Sequence, residues 1–350
     1  MFIYVGGYTA PDRDGTGDGI RVYRAENPCA DWQLVQTVGG LENPSLFTLR
    51  PDGKMLYSVH GGRTMISAFA IDPPSGKLRL VNQLHGGGLN SVDAVLSHDN
   101  RFLLIANYTA GNVAVMPLAA DGALRPVAQR LVLPGQAGPH PVQQPHAYPH
   151  AIILDPTGRF AIVPDKGFDC VFVLRFDPAS GHISLHQSAA SRPGAAPRHC
   201  VFHPTLPILY VNNELDSTVT VYHWDAAVGR ISAAQIIRTI PADFKGKNTT
   251  AEIAVSPDGR YLYVSNRGHD SIAIFAIRPG QGRLFQRGHE PTGGTVPRFF
   301  ALAPSGKAVL VANQGSHTIT RFGREPANGM LTRVEGAIAV GSPSAINFLI

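Results

Sequence analysis

The chain has 350 residues, of which 37 are glycine and 28 proline, about 19 % together against roughly 12 % in ordinary proteins. Charged residues are only 16 % and apolar ones 44 %, so disorder is excluded and a turn-rich all-β protein with few solvated helix faces is expected. The net charge of +5 is spread thinly, its tightest basic cluster being Lys245 and Lys247; nucleic-acid binders concentrate charge in runs, whereas a diffuse positive field suits a small anionic substrate.

The N-terminus, Met1-Phe2-Ile3-Tyr4-Val5, has no basic segment leading into a long apolar one, and no apolar stretch reaches membrane-helix length. Cys29, Cys170 and Cys200 are odd in number and form no CxxC pair, which suggests neither a disulfide framework nor a zinc site. The expectation is a cytoplasmic protein with three small buried thiols, no metal, no cofactor and no membrane or nucleic-acid partner. The oligomeric state is open, a monomer being compatible with the sequence.

In chain order, an alternating apolar segment recurs at Ile20–Tyr23, Ile66–Phe69, Val113–Met116, Val171–Leu174, Val219–Tyr222, Ile272–Phe275 and Ile319–Phe322. The seven copies are about 50 residues apart and account for the whole chain. A turn followed by an apolar strand keeps register with them: Pro51-Asp52-Gly53, His98-Asp99-Asn100, Pro156-Thr157-Gly158, Pro204-Thr205-Leu206, Pro257-Asp258-Gly259 and Pro304-Ser305-Gly306. Such residues supply the positive φ of a hairpin turn. A glycine then follows each apolar segment, at Gly76, Gly122, Gly181, Gly229, Gly282 and Gly329. Each period holds four short strands, and seven such periods predict a seven-bladed β-propeller as a single domain over 1–350. The head, Phe2–Tyr8, resembles the second strand of a repeat; the tail, Pro343–Leu349, resembles the first strand. The C-terminal strand is therefore expected to complete the N-terminal blade.

Register converts spacing into position. The residue eight before each hairpin glycine and the residue eight after it should share one end of the blade, near the central channel. The first set reads Ser45, Val92, His150, Arg198, Ala251 and Arg298, with Ser344 from the tail; the second reads Gly61, Tyr108, Lys166, Glu214, Arg267 and Gln314, with Tyr8 from the head. One end thus gathers His150, Arg198, Arg267, Arg298 and Lys166 around a single carboxylate, Glu214, with Glu252 and His199 one residue out of register. Arginine forks bind carboxylate or phosphate bidentately, and a His or Glu held among them can carry a proton at neutral pH. The inner registers hold no cluster of Asp, Glu and Asn for a hard cation, and there is no G-x-S-x-G nucleophile turn or phosphate loop leading into a helix.

Structural readings stand beside these. His150 could cap a strand, Arg298 could bridge blades, and Glu214 could serve only as counter-ion to Arg198. Asn107 and Tyr108 read as turn closures, and His199 and His203 as partners of local backbone groups. The blade with His150 is longer by about ten residues, Pro134 to Gln144, a stretch that is either a lid or a neutral insertion.

At these residues the sequence resembles the seven-bladed lactonase family. Pro145-His146 through His150, Ala196-Pro197-Arg198-His199, Asn213-Glu214-Leu215-Asp216-Ser217, Ala251-Glu252-Ile253 and Ser265-Asn266-Arg267-Gly268-His269-Asp270-Ser271 carry the likeness, which spans essentially the full chain. The family contains propeller-type bacterial 6-phosphogluconolactonases and fungal 3-carboxy-cis,cis-muconate lactonizing enzymes. The resemblance implies a site of one His, two Arg and one Glu, here His150, Arg198, Arg267 and Glu214. The family pattern Pro-His-Ala-His is altered to His146-Ala147-Tyr148-Pro149-His150; register favours His150 over His146. The copy at Pro204 also departs, with Leu206-Pro207 at its turn.

The implied activity is hydrolysis of 6-phosphogluconolactone, with Glu214 or His150 as base, Arg198 or Arg267 at the oxyanion, and Arg298 or Lys166 on the phosphate. A lactonising or lactone-cleaving step on a carboxymuconate-type dicarboxylate would use the same residues. A non-catalytic interaction platform is the reading from another class, and it predicts an apolar patch where the inner registers show charge.

Overall fold

The structure, a computed structural model, describes residues 1–350 and is almost entirely β. Its 28 strands form seven four-stranded antiparallel sheets, so the chain has the seven-bladed β-propeller fold that the repeat predicts. The sheets are led by Pro44–Leu49, Ser91–Leu96, Ile153–Leu154, Pro197–Phe202, Thr249–Val255, Pro297–Leu302 and Pro343–Leu349. Pro11–Arg13 is a 3-10 turn, and no helix is long and apolar enough to cross a membrane.

The contacts divide into two compact units: Met1–Ser45, Val201–Tyr222 and Ala233–Ile350 form the first, and Leu46–Cys200 with His223–Ser232 the second. In the first, Pro343–Leu349 pairs with Phe2–Gly7, matching Phe2 to Leu349 and Val5 to Ile346. The tail is thus the first strand of the N-terminal blade, as its likeness to other first strands predicts. Ala345 and Ile346 are buried in that pairing, and Tyr8 N–H donates to Ser342 O at 3.0 Å.

The recurrent glycines have a packing reason. Gly282 and Gly329 of the first unit, and Gly122, Gly181 and Gly229 of the second, all have positive φ. A Cβ on each would collide with the first residue of a neighbouring second strand: Ile208, Tyr261, Met55, Phe102 and Phe160 respectively. A tyrosine two residues into that strand completes the joint in three of them. Tyr210 Oη donates to Gly282 O at 2.8 Å, Tyr263 Oη to Gly329 O at 2.7 Å and Tyr57 Oη to Gly122 O at 2.9 Å.

At the hairpin turns, Gly53, Gly158, Gly259 and Gly306 have φ of +66° to +70°, and Asn100 takes +58° in the same place. The Leu206-Pro207 turn lacks such a glycine and is closed instead by Ile208 N–H on Leu206 O at 2.8 Å. His203 supports it, Nδ1 accepting from the Thr205 and Leu206 amides and Nε2 donating to Gly259 O at 2.9 Å. His203 does satisfy local backbone. Of the three cysteines, all free thiols, Cys170 and Cys200 are buried, whereas Cys29 is only half-buried in an outer turn.

Candidate active site

In both units the residue eight before the hairpin glycine stands at a break in strand pairing. Pairing jumps from Pro297–Asn313 to Phe299–Ala312 around Arg298 and from Ser91–Asn107 to Asp93–Ala106 around Val92. It shifts likewise around Ser344 and across Ala251-Glu252, and between Pro149–Asp165 and Ile153–Ile162 one extra residue lies on the His150 side. A bulge frees a residue from the ladder and re-aims it, so at Arg298 and His150 the register position is also a bulge that presents the side chain.

In the first unit, Glu214 follows the strand Ile208–Asn213 and Arg267 ends the strand Tyr261–Arg267. Arg267 Nη2 lies 3.2 Å from Glu214 Oε1, with both side chains nearly buried, and donates to Thr250 O at 2.7 Å. Thr250 N–H returns to Glu214 O at 3.2 Å, so strand ends of two blades are tied through one ion pair. Burial pushes the Arg267 guanidinium below its ordinary pKa, the Glu214 charge draws it back, and the Arg298 charge opposes it. Arg298 is therefore close enough to be felt electrostatically, and its guanidinium also lies over the Tyr8 ring, 5.3 Å from the centroid. Glu252 is buried in the neighbouring bulge, where Oε1 accepts the Ile253 amide at 3.0 Å and the Glu252 amide donates to Ser265 Oγ at 2.9 Å. Those bonds tie Glu252 to its own blade.

In the second unit, His150 and His199 are buried with ring centroids 5.1 Å apart, and Arg198, next to His199, is 2 % exposed. Tyr108 meets His150 edge-on at 5.3 Å and stacks on Tyr148 at 4.3 Å and 9°. His146 tilts over Tyr148 at 4.3 Å on the exposed side. Five rings thus run from exposed His146 to buried His199. Lys166, 3 % exposed, places Nζ 3.4 Å from Tyr108 Oη. The hairpin end is pinned by backbone: His150 N–H to Pro164 O and Lys166 N–H to Tyr148 O, both 3.0 Å. Only glycine can follow Lys166, because a Cβ at Gly167 would collide with His146 O. The long segment 134–144 folds back on this end, with buried Gln144 donating Nε2 to Lys166 O at 2.8 Å.

The register residues therefore fall into two groups: Glu214, Arg267 and Arg298, with Glu252 in an adjacent bulge, and His150, His199, Lys166 and Arg198. Three tyrosines join these charged groups. Tyr108 and Tyr8 stand in the same register as Lys166 and Glu214; Tyr108 closes the turn through its backbone, accepting Gly111 N–H at 3.2 Å, beside Asn107, which bonds Ser91 Oγ, Asn112 Oδ1 and Gly86 O, while its ring reaches His150 and Tyr148. Tyr148 carried no register signal at all, since it lies on the irregular segment before His150.

The family model described as "Lactonase, 7-bladed beta-propeller" matches residues 2–348. The chain belongs to the seven-bladed β-propeller lactonase family. Among its relatives are the 6-phosphogluconolactonase of Bacillus subtilis, 30% identical over 349 residues that cover 99% of this chain and 97% of that one, and the 6-phosphogluconolactonase of Formosa agariphila, 33% identical over 315 residues and 86% of each. Among solved structures, a periplasmic gluconolactonase of Pseudomonas aeruginosa superposes with a TM-score of 0.92 at 33% identity, covering 100% of this chain and 99% of that one.

Proposed function

We propose that the chain hydrolyses 6-phosphogluconolactone to 6-phosphogluconate. The observation that carries this reading is the nearly buried Glu214–Arg267 pair with a second guanidinium, Arg298, within electrostatic reach, in a chain similar over nearly its whole length to a 6-phosphogluconolactonase. Water adds to the lactone carbonyl, the ring C–O bond breaks, the ring oxygen takes a proton and the product acid releases one. His150 takes the proton from water, since imidazole is the side chain whose ordinary pKa lies near neutrality. Glu214 holds Arg267, and Arg267 or Arg198 stabilises the oxyanion, a contribution worth roughly 10²–10³ in rate per donor. Arg298 or Lys166 takes the phosphate, with His199 and Glu252 as flanking residues. No step requires a cofactor. A phosphorylated substrate fits the cytoplasm, and the cysteines are thiols rather than disulfides.

The likeness to a gluconolactonase makes the unphosphorylated lactone the informative comparison. Turnover of 6-phosphogluconolactone, glucono-δ-lactone and a carboxymuconolactone is measured against their spontaneous hydrolysis. The proposal expects kcat/KM highest for the phosphorylated sugar lactone. Rates on all three no faster than the uncatalysed reaction would sink it, and preference for glucono-δ-lactone or the muconolactone would reassign the substrate.

A further inference from the structure

The second strand of six blades carries a buried polar residue at one register position: His60, Asn107, Asp165, Asn213, Asn266 and Asn313. In four blades it is asparagine, whose amide donates to the third strand. Asn107 Nδ2 bonds Asn112 Oδ1 at 2.9 Å, Asn213 Nδ2 bonds Thr218 Oγ1 at 2.8 Å, Asn266 Nδ2 bonds Ser271 Oγ at 3.3 Å and Asn313 Nδ2 bonds Thr320 Oγ1 at 3.1 Å. In the His150 blade the slot holds Asp165, fully buried, and its partner across the ladder is Cys170, a weak acceptor. Asp165 Oδ1 accepts the Phe168 amide at 2.8 Å, and Oδ2 is buried with no hydrogen-bond partner. Pro149 bridges to Asp165 itself, His150 N–H bonds the residue before it, and Lys166 is the residue after it.

We infer that Asp165 is a positioning residue: a carboxylic acid standing where other blades use asparagine, whose protonation state sets how Lys166 and the Tyr148–His150 segment are held. The inference rests on the proposed roles of His150 and Lys166. A protonated carboxyl offers what the amide offers, one acceptor for Phe168 N–H and one donor toward the third strand. The ionised form loses the donor and leaves a charge in a dry slot. The groups around it pull both ways: burial and the Asp169 charge oppose ionisation, while the Phe168, Tyr148 and Gly167 amides favour it, and Cys170 faces it across the ladder. Burial wins, and the carboxyl is pushed up to about 7. An unfolded Asp titrates near 3.9, so the folded state binds the extra proton between those values. Stability from this group therefore falls as pH rises from about 4 to 7 and is level above.

Asp165→Asn installs the residue four other blades already use, so the variant should fold. Near-UV circular dichroism of the stacked Tyr108–Tyr148 pair and kcat/KM are followed from pH 5.5 to 8.5 in both proteins; every other ionisable group is common to the two, so the difference isolates Asp165. The wild-type signal should carry an additional transition near pH 7 that the variant lacks. The ratio of the two kcat/KM values should be constant below pH 6 and change at least threefold by pH 8.5. A second variant, Cys170→Ser, supplies the hydroxyl acceptor that Ser271 provides elsewhere and should move the wild-type transition to higher pH. Superimposable dichroism profiles would overturn the inference, as would a dichroic difference with parallel rate profiles, which marks a structural role only. Absence of lactone turnover in both proteins would instead remove the lactonase reading and leave the dichroism to decide Asp165.

Discussion

Arg267 shows how much one side chain holds together, since Nη2 serves both Glu214 Oε1 and Thr250 O. Lysine keeps the charge but not the planar fork, so Arg267→Lys should lower kcat/KM about 10–100-fold, roughly 1.4–2.7 kcal/mol of transition-state stabilisation, in a steady-state lactonase assay. Tyr263 is a structural counterpart. Its hydroxyl donates to Gly329 O and accepts from buried Arg324 Nε at 2.8 Å, so Tyr263→Phe leaves two buried groups short of a partner. A loss of about 1–3 kcal/mol should appear in urea unfolding with activity per folded molecule unchanged. Residues of this kind were unevenly legible in the sequence. Arg267 and Glu214 stand out because charge is rare at strand ends of an apolar repeat, whereas Tyr263 looks like any strand aromatic, and Tyr148 sits where the repeat pattern is broken.

At the scale of the strand, the turn and joint glycines are the part of the composition that recurs with the blades. Gly229 has φ +68° and faces the Phe160 ring with no room for a Cβ. Gly229→Ala should cost about 1–3 kcal/mol through overpacking, read as a lower urea midpoint, while the same change at Gly39, where a Cβ would meet only Asp18 O at 3.7 Å, should cost less. Period and register were readable because each blade repeats the same steric demands at the same places. The bulges were not, because a bulge adds one residue without changing residue type; Val92 and Arg298 occupy the same kind of break. Nor could the sequence show that the 134–144 stretch is anchored through buried Gln144, since one amide among several polar residues carries no pattern.

For the whole molecule, the N-terminal blade depends on its last-made strand. Removing Pro343–Ile350 would unpair one edge of Phe2–Gly7, leaving it paired only to Ile20–Arg24, and expose the surface that buries Ile346. The expected loss is about 3 kcal/mol or more, the scale of one deleted core isoleucine, with aggregation through the bared strand edge; urea unfolding and sedimentation of the truncated chain would show both. The seven-bladed class was predictable from the seven repeats, and the strand that completes the N-terminal blade from the two chain ends. The chemistry was predictable only as a register of charges, and its central claim is that this register is a lactone-hydrolysing site. The most direct measurement is kcat/KM for 6-phosphogluconolactone in wild type and Glu214→Gln, corrected for spontaneous hydrolysis and paired with urea midpoints. A fall of about 10-fold or more, as the charge that holds Arg267 is lost, is expected in a variant that remains folded. A folded Glu214→Gln protein with kcat/KM within twofold of wild type would contradict it.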